Sequence, residues 1–145
     1  MTRARRLAAI IYGVCGAISV VLGAIYLFRA RFMPYHGTAL EVDWEALDPP
    51  TQTLLLALMD VAGAGWAVTG LLVLVLVAIP FRAGERWARW TVPATLALLY
   101  VPILLATLRV LDQTPATPPW YGNAIALGAT ITALIIDRPW RHLER

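Results

Sequence analysis

Long apolar segments alternate with short polar segments along the whole chain. Four nearly charge-free stretches lie at about residues 7–28, 51–79, 91–109 and 120–136. A helix needs about 20 apolar residues to cross the ~30 Å hydrocarbon core of a bilayer. The pattern therefore predicts an all-α polytopic membrane protein, a four-helix transmembrane bundle that residues 1–145 form as a single domain.

Asp48 and two prolines mark the predicted boundaries of the second apolar segment. Aspartate is a favoured N-cap residue, and proline suits the first position of a helix, so Asp48 followed by Pro49 predicts a helix start. Proline inside a helix removes a hydrogen bond and clashes with the preceding turn. We therefore expect Pro80 to end this segment.

The longest predicted loop covers about residues 29–48, between the first two apolar segments, and we expect it on the extracytoplasmic side. Residues 43–47 within it could form one helical turn at the membrane interface, with Trp44 and Leu47 toward lipid. The alternative is an irregular, solvated loop. The sequence leaves both interpretations open.

Arginine is distributed unevenly between the two sides of the predicted bundle. All twelve basic residues are arginine; three precede the first segment, three lie between the second and third, and three follow the fourth. Only Arg29, Arg31 and Arg109 fall on the other side. Because positive residues concentrate in cytoplasmic loops, this predicts that both termini are cytoplasmic.

Membrane topology also accounts for the net charge of +3, so a nucleic-acid partner is not expected. Membrane lipids are the expected partners, and the arginine clusters could additionally bind anionic lipid headgroups. The small residues on the first two segments could serve internal helix packing, or a homo-oligomer or another membrane-protein partner.

Composition agrees with this interpretation and excludes several kinds of chemistry. The chain is 59% hydrophobic and only 14% charged, whereas soluble domains carry about 25% charged residues. A single cysteine excludes paired-thiol redox chemistry. No histidine lies in a predicted span, which disfavours bis-histidine haem ligation. The sequence therefore predicts no cofactor and no metal site.

Asp60 is the most unusual residue within the apolar segments. An acid at the centre of a transmembrane helix costs about 2.5–3.5 kcal/mol on insertion scales. Helical spacing places it on a face of small residues, and small residues mark close helix packing in membranes. That face comprises Ala57, Gly63, Ala64, Ala67 and Gly70. We therefore expect Asp60 to point into the bundle.

The other three segments also offer a polar group near the same end. Tyr26 ends a face formed by Tyr12, Gly16, Ser19 and Gly23; Arg109 ends the third segment; Asn123 begins a face formed with Ala126, Thr130 and Ala133. These positions suggest an outward-facing polar pocket built around Asp60 and Arg109, with Tyr26, Asn123 and His36 nearby. The alternative is an Asp60–Arg109 pair that only locks two helices together.

Three short stretches carry a resemblance to known proteins: Phe32–His36, Pro80–Ala88 and Thr117–Trp120. Together with the four apolar segments they resemble a family of small, uncharacterised four-span bacterial inner-membrane proteins. More loosely, the layout is similar to that of DoxX-like proteins. The resemblance implies a multi-pass protein of the bacterial inner membrane and supplies no active site.

These observations favour a non-enzymatic integral membrane protein that binds a lipid or a small apolar molecule, or that supports a partner complex. One alternative is a small proton-coupled transporter that uses Asp60. A second is a membrane enzyme acting on a lipophilic substrate, which would need at least two acids or bases in the pocket. Asp60 is the one residue of that kind that the sequence places within a segment near the pocket.

Overall fold

The protein is built from helices. The computed structural model describes the backbone of residues 1–143 and the side chains of residues 1–141. Its α-helices are α1 (Arg3–Leu27), α2 (Pro34–Leu40), α3 (Pro49–Leu76), α4 (Arg86–Gln113) and α5 (Trp120–Asp137). A π turn (Val77–Phe81) and two 3₁₀ turns (Trp44–Ala46 and Pro139–Leu143) complete the regular structure, with no strand in this described part.

Three helices are long and apolar enough to cross a membrane: Arg3–Leu27, Pro49–Phe81 and Arg86–Gln113. Large apolar side chains also cover the outer surface of the protein. Val61, Leu98 and Ile125 are each more than 60% exposed. Water-soluble monomers rarely expose continuous apolar surfaces of this kind. The surface is therefore compatible with a membrane-embedded protein.

α1 and α3 run antiparallel, and their backbones touch at two pairs of glycines. Gly16 faces Gly70, and Gly23 faces Gly63. A Cβ atom added to Gly23 would lie 2.5 Å from the backbone nitrogen of Ala67, closer than real Cβ contacts allow. The predicted α1 face is confirmed, since Tyr12, Gly16, Ser19 and Gly23 are all buried.

α5 packs against both α1 and α4, and α4 in turn contacts α3. The buried face of α5 includes Asn123, Thr130 and Ala133, as the sequence predicts. The N-termini of α1 and α4 and the C-termini of α3 and α5 meet at one end. This end, which we call the arginine-rich end, carries Arg3, Arg5, Arg6, Arg82, Arg86, Arg89, Arg138 and Arg141. Arg145, the ninth arginine predicted for this side, lies outside the described residues.

The two predicted boundaries of α3 have different outcomes. Asp48 is confirmed as the N-cap, because its carboxylate accepts hydrogen bonds from the Thr51 backbone N–H (3.2 Å) and hydroxyl (2.6 Å). The prediction that Pro80 ends the helix is wrong. Pro80 lies inside the π turn, whose wider hydrogen-bonding spacing accommodates the proline. The chain stays helical to Ala83 and leaves the helix at Gly84, where φ is +91°.

Residues 32–47 fold onto the ends of α1 and α3 and form what we call the cap. Phe32 and Met33 of the cap are buried against Met59 of α3. The predicted helical turn is present at Trp44–Ala46. Its predicted direction toward lipid is wrong, because Trp44 and Leu47 pack against this cluster instead. The Gln52 side-chain amide holds the turn by donating to the backbone carbonyls of Trp44 (2.8 Å) and Leu47 (3.2 Å).

A buried ion pair joins α4 to α5 at the arginine-rich end. Arg89 Nε donates to Asp137 Oδ2 at 2.8 Å, and Arg89 Nη2 donates to the Asp137 backbone carbonyl at 2.9 Å. The two side chains are only 4% and 1% exposed. Arg89, which the sequence explains by topology alone, therefore also has a structural role.

Candidate functional site

A cavity of about 270 Å³ lies between the long helices, in the half of the protein nearer the cap. All four long helices contribute to its wall, together with the cap. Its apolar lining includes Ile18, Leu22, Met33, Ile103, Pro119 and Ala126, and its polar or aromatic lining includes Tyr26, Tyr35, Trp66, Tyr100, Thr107 and Asn123. The cavity is thus mostly apolar with a few polar groups, the usual character of a small-molecule site.

Hydrogen bonds between α1 and α4 fix the Tyr100 side of the cavity. The Tyr100 hydroxyl lies 3.1 Å from the Ser19 hydroxyl and donates to the backbone carbonyl of Cys15 at 3.2 Å. Ser19 itself donates to the same carbonyl at 2.9 Å. The Tyr100 ring contacts Trp66, with ring centroids 5.8 Å apart. Because their positions are fixed by bonds to α1 and by packing, these aromatic walls are preformed.

Two tyrosines tie the cap to α1 beside the cavity. The hydroxyl of Tyr26, in the last turns of α1, shares a hydrogen bond with the hydroxyl of Tyr35 in α2. Both rings line the cavity, and the buried Met33 lies next to them. The cap is therefore held in place by a polar bond as well as by its apolar cluster.

Asn123 is a polar group of the cavity lining that has no hydrogen-bond partner among the described residues. Its side chain lines the cavity and is 9% exposed, yet its amide makes no hydrogen bond to any described residue. Trp66, which lines the cavity from α3, carries an indole N–H that can act as a hydrogen-bond donor. A ligand oxygen in the cavity would give the Asn123 amide a hydrogen-bond partner.

The lining determines which chemistry the cavity supports. No aspartate, glutamate, histidine, lysine or arginine lines it within the described residues. The same residues contain no group of three or more side chains that could hold a metal ion. The arrangement suits binding of a lipophilic molecule through a few hydrogen bonds, and it offers no charged general acid or base.

The structure separates the five residues predicted for the polar pocket. Tyr26 and Asn123 line one cavity together. His36 lies in an adjacent apolar groove of about 390 Å³, which it shares with Tyr26. Asp60 and Arg109 are exposed and line neither space. They also form no ion pair with each other within the described residues, so the expected lock between two helices is absent there.

The expectation that Asp60 points into the bundle is wrong. The buried face of α3 is rotated from the predicted face by about one residue, so that Met59 is buried and Asp60 is exposed. Small residues cover much of the circumference of α3, so their pattern does not define one face. The buried stripe is instead Met59, Gly63, Trp66, Gly70 and Val73. Asp60 lies about 32 Å along the helix from Phe81 at 1.5 Å per residue. A helix that crossed a ~30 Å core from Phe81 would bring Asp60 near the far boundary, where an exposed carboxylate can reach headgroups and water.

His36 provides a pH-dependent contribution to the packing of the cap. Its ring packs against Tyr35, with centroids 4.3 Å apart, and against Phe32 at 6.3 Å. Burial lowers the pKa of His36 below its usual value of about 6.5, because desolvation disfavours the imidazolium. His36 is therefore neutral at pH 7.

We expect the protein to lose stability as the pH falls from 7 to 5. The unfolded chain binds a proton on His36 at a higher pH than the folded chain does. The contribution of His36 to the free energy of unfolding is therefore fully present at pH values above its pKa in the unfolded chain. It decreases as the pH falls toward the lower pKa of His36 in the folded chain. Thermal unfolding in detergent at pH 7, 6 and 5 measures this loss. A His36→Gln variant should show a smaller decrease than the wild type, and equal decreases would contradict the assignment.

Trp66 and Tyr100 are two aromatic residues of the cavity lining that sequence reasoning missed. Trp66 lies on the stripe of Gly63 and Gly70, three residues from one and four from the other, which is a readable signal. Tyr100 carries a polar hydroxyl in the middle of an apolar segment, which is a second signal. Neither signal reveals that the two rings meet, because that contact depends on how α3 and α4 pack.

The chain matches no protein-family model, no curated protein and no solved structure. The resemblance to small four-span inner-membrane proteins therefore stays a prediction. The functional assignment draws on the geometry of the cavity and of the helices around it.

Proposed function

We propose that the chain is an integral membrane protein that binds a small lipophilic molecule in the cavity between its helices. The single observation that carries this proposal is the mostly apolar cavity between the helices, in whose lining the Asn123 amide has no hydrogen-bond partner among the described residues. Ligand pockets typically combine an apolar lining with a small number of polar groups that orient the ligand. The proposal is of binding, without a chemical step.

The proposed topology is a four-helix transmembrane bundle in a bacterial inner membrane, with both termini on the cytoplasmic side. α5 would be the fourth span, because its 18 residues measure about 27 Å, close to the ~30 Å core. Exposed tryptophans support the two interfaces: Trp90 and Trp140 form a pair at the arginine-rich end, and Trp120 lies at the other. Tryptophan is enriched at both membrane–water boundaries.

The polar groups of the cavity define the class of ligand. The Asn123 amide and the Trp66 indole carry N–H donors, and the Asn123 carbonyl and the hydroxyls of Tyr26, Tyr35 and Thr107 can accept. These groups suit an apolar molecule with at least one polar oxygen, such as a carbonyl, an ether or a hydroxyl. The cavity lies just below the usual 300–1,000 Å³ of small-molecule sites, so it suits a compact molecule or the head of a longer lipid.

The alternatives receive less support from the described residues. A transporter that uses Asp60 would need this carboxylate in the substrate path, and Asp60 is exposed outside the cavity. An enzyme acting on a lipophilic substrate would need acids or bases in the cavity, and its described lining contains no charged residue. A role in supporting a partner complex would use the outer surface of the protein. The cavity provides no evidence for such a role.

We expect Asn123→Leu to lose a co-purifying small molecule. The protein would be extracted from its native membrane in mild detergent, and bound molecules would be identified by native mass spectrometry and solvent extraction. Loss of a buried hydrogen bond worth about 1–3 kcal/mol corresponds to roughly 5- to 150-fold weaker retention. Thr132→Val is the matched control, because Thr132 is an exposed polar residue on the same helix.

A second variant tests the cavity independently of Asn123. Ala126 lines the cavity, so Ala126→Phe should fill it and exclude the ligand. Circular dichroism would verify that each variant remains helical. Equal retention by the wild type and the folded Ala126→Phe protein would contradict the proposal, as would a wild type that carries no small molecule directly from its membrane.

A further inference from the structure

The arginine-rich end contains a second pocket, which has no part in the cavity described above. Its volume is about 730 Å³, and it lies between the N-terminus of α1 and the C-terminus of α5. Its polar lining comprises Thr2, Arg5, Arg89, Asp137, Arg138 and Arg141. Four guanidinium groups and one carboxylate leave three positive charges in excess.

Asp137 is already neutralised by one of these arginines. The Arg89 guanidinium bonds both to a carboxylate oxygen and to the backbone carbonyl of Asp137, at 2.8 and 2.9 Å. The pair is buried on both sides. The charges of Arg5, Arg138 and Arg141 therefore have no full counter-charge within the pocket.

Arg5 is the most unusual of these three cations. Its side chain is only 19% exposed, and its nearest acid oxygen, Asp137 Oδ1, is 3.8 Å away, beyond hydrogen-bonding distance. Arg5 Nε and Asp137 Oδ1 are both buried without a hydrogen-bond partner in the described protein. The Arg5 guanidinium donates no hydrogen bond to a described residue. A buried donor such as Nε is destabilising unless an acceptor satisfies it.

We propose that this pocket binds a phosphate-class oxyanion, which is either the phosphodiester of an anionic lipid headgroup or the phosphate of a soluble molecule. The planar guanidinium fork matches the oxygens of a phosphate and binds them through two parallel hydrogen bonds. Arg5 lies at the inner wall, and the exposed Arg138 and Arg141 lie at the rim.

The position of the pocket suits the lipid source. Trp90 and Trp140, whose ring centroids are 6.4 Å apart, lie at the same end of the protein. In the proposed membrane placement, on which this step depends, such tryptophans lie at the level of the headgroups. Basic pockets at the cytoplasmic ends of transmembrane helices bind anionic headgroups through the same chemistry.

Native mass spectrometry of the full chain in detergent tests the proposal. Phosphatidylglycerol and phosphatidylcholine would be added at equal concentration, and inorganic phosphate would be tested separately by thermal shift against chloride of equal ionic strength. We expect Arg5→Gln and Arg141→Gln to bind phosphatidylglycerol, or phosphate, about tenfold more weakly than the wild type, the loss of roughly one charge-assisted hydrogen bond.

Arg3→Gln is the matched control for both variants. It removes the same charge from the same end of the protein, and Arg3 is exposed and does not line the pocket. Selective retention of phosphatidylglycerol over phosphatidylcholine identifies a lipid ligand. Stabilisation by inorganic phosphate beyond that by chloride identifies a soluble one.

Two results would overturn the proposal. One is equal weakening by Arg3→Gln and Arg5→Gln, which would indicate diffuse surface attraction without a site. The other is a wild type that distinguishes neither phosphatidylglycerol from phosphatidylcholine nor phosphate from chloride. If Arg5→Gln does not fold, Arg141→Gln decides alone, because the Arg141 side chain is exposed and makes no ion pair to a described residue. These results are independent of ligand retention in the Asn123 cavity.

Discussion

Replacing Asp137 with leucine is expected to destabilise the protein by about 3–5 kcal/mol, the range found when one partner of a buried ion pair is removed. The expected loss is large because Arg89 would stay buried, 4% exposed, without its carboxylate. Arg5, 3.8 Å from the same carboxylate, would also lose its nearest acid. Thermal or denaturant unfolding in detergent, followed by circular dichroism, measures the change. Arg89→Met should produce a loss in the same range.

A double variant separates the pair itself from the penalty of leaving one charge alone. Arg89→Met with Asp137→Leu replaces both partners with apolar groups, a change that is often neutral or stabilising. The double variant should therefore be clearly more stable than either single variant. Arg31→Ala supplies a surface control, since Arg31 pairs with Glu45 while both are more than 60% exposed. Such a pair contributes only about 0–1 kcal/mol. Additive losses in the double variant would contradict a coupled pair.

The Arg89–Asp137 pair illustrates where sequence reasoning stops. The face of Asn123, Thr130 and Ala133 is readable from the sequence, and one more turn along it reaches Asp137. The sequence therefore contains a signal that Asp137 is buried. Its partner lies 48 residues away on another helix, and membrane topology already explains an arginine there. Only the packing of α4 on α5 reveals that this one arginine is buried.

The prediction that Asp60 points into the bundle failed for a different physical reason. Small residues predict close helix packing, but α3 carries them on more than one face, so several rotations of the helix satisfy the pattern. The contact between glycines of α1 and α3 selects one rotation, and that rotation leaves Asp60 exposed. The choice depends on complementarity between two helices, which hydropathy alone does not encode. Arg109 is also exposed and lies outside the cavity, as does its expected partner Asp60.

Tyr26 and Asn123 were predicted from the sequence because Tyr26 ends one periodic face and Asn123 begins another. Helical spacing gives such faces directly. The remaining wall of the cavity comes from Trp66, Tyr100 and the cap, which are brought together only by tertiary packing. The cap was expected to be a loop or a lipid-facing turn, and its inward packing follows from the apolar cluster around Phe32 and Met59. The periodicity of the sequence predicts which residues share a helix face. Predicting which faces contact each other requires knowledge of the tertiary fold.

Adding one methyl group at Gly23 or Gly70 is expected to destabilise the protein by about 1–3 kcal/mol, the usual range for overpacking a well-packed core. A Cβ atom on Gly70 would lie 2.6 Å from the carbonyl oxygen of Gly16, and one on Gly23 would lie 2.5 Å from the nitrogen of Ala67. Both obstacles are backbone atoms, so no side chain can rotate away. α1 and α3 would have to move apart along their shared contact.

Gly13→Ala and Gly65→Ala are controls on the same two helices, since a Cβ atom there would meet nothing within 4 Å. Alanine is a better helix former than glycine by about 0.8–1.0 kcal/mol, so the controls should be neutral or slightly stabilising. Unfolding of the four single variants in one detergent gives the comparison. If all four change stability equally, glycine acts here through helix propensity alone. A loss confined to Gly23→Ala and Gly70→Ala shows that the close contact between α1 and α3 holds these two helices together, and with them the Tyr26 and Trp66 walls of the cavity.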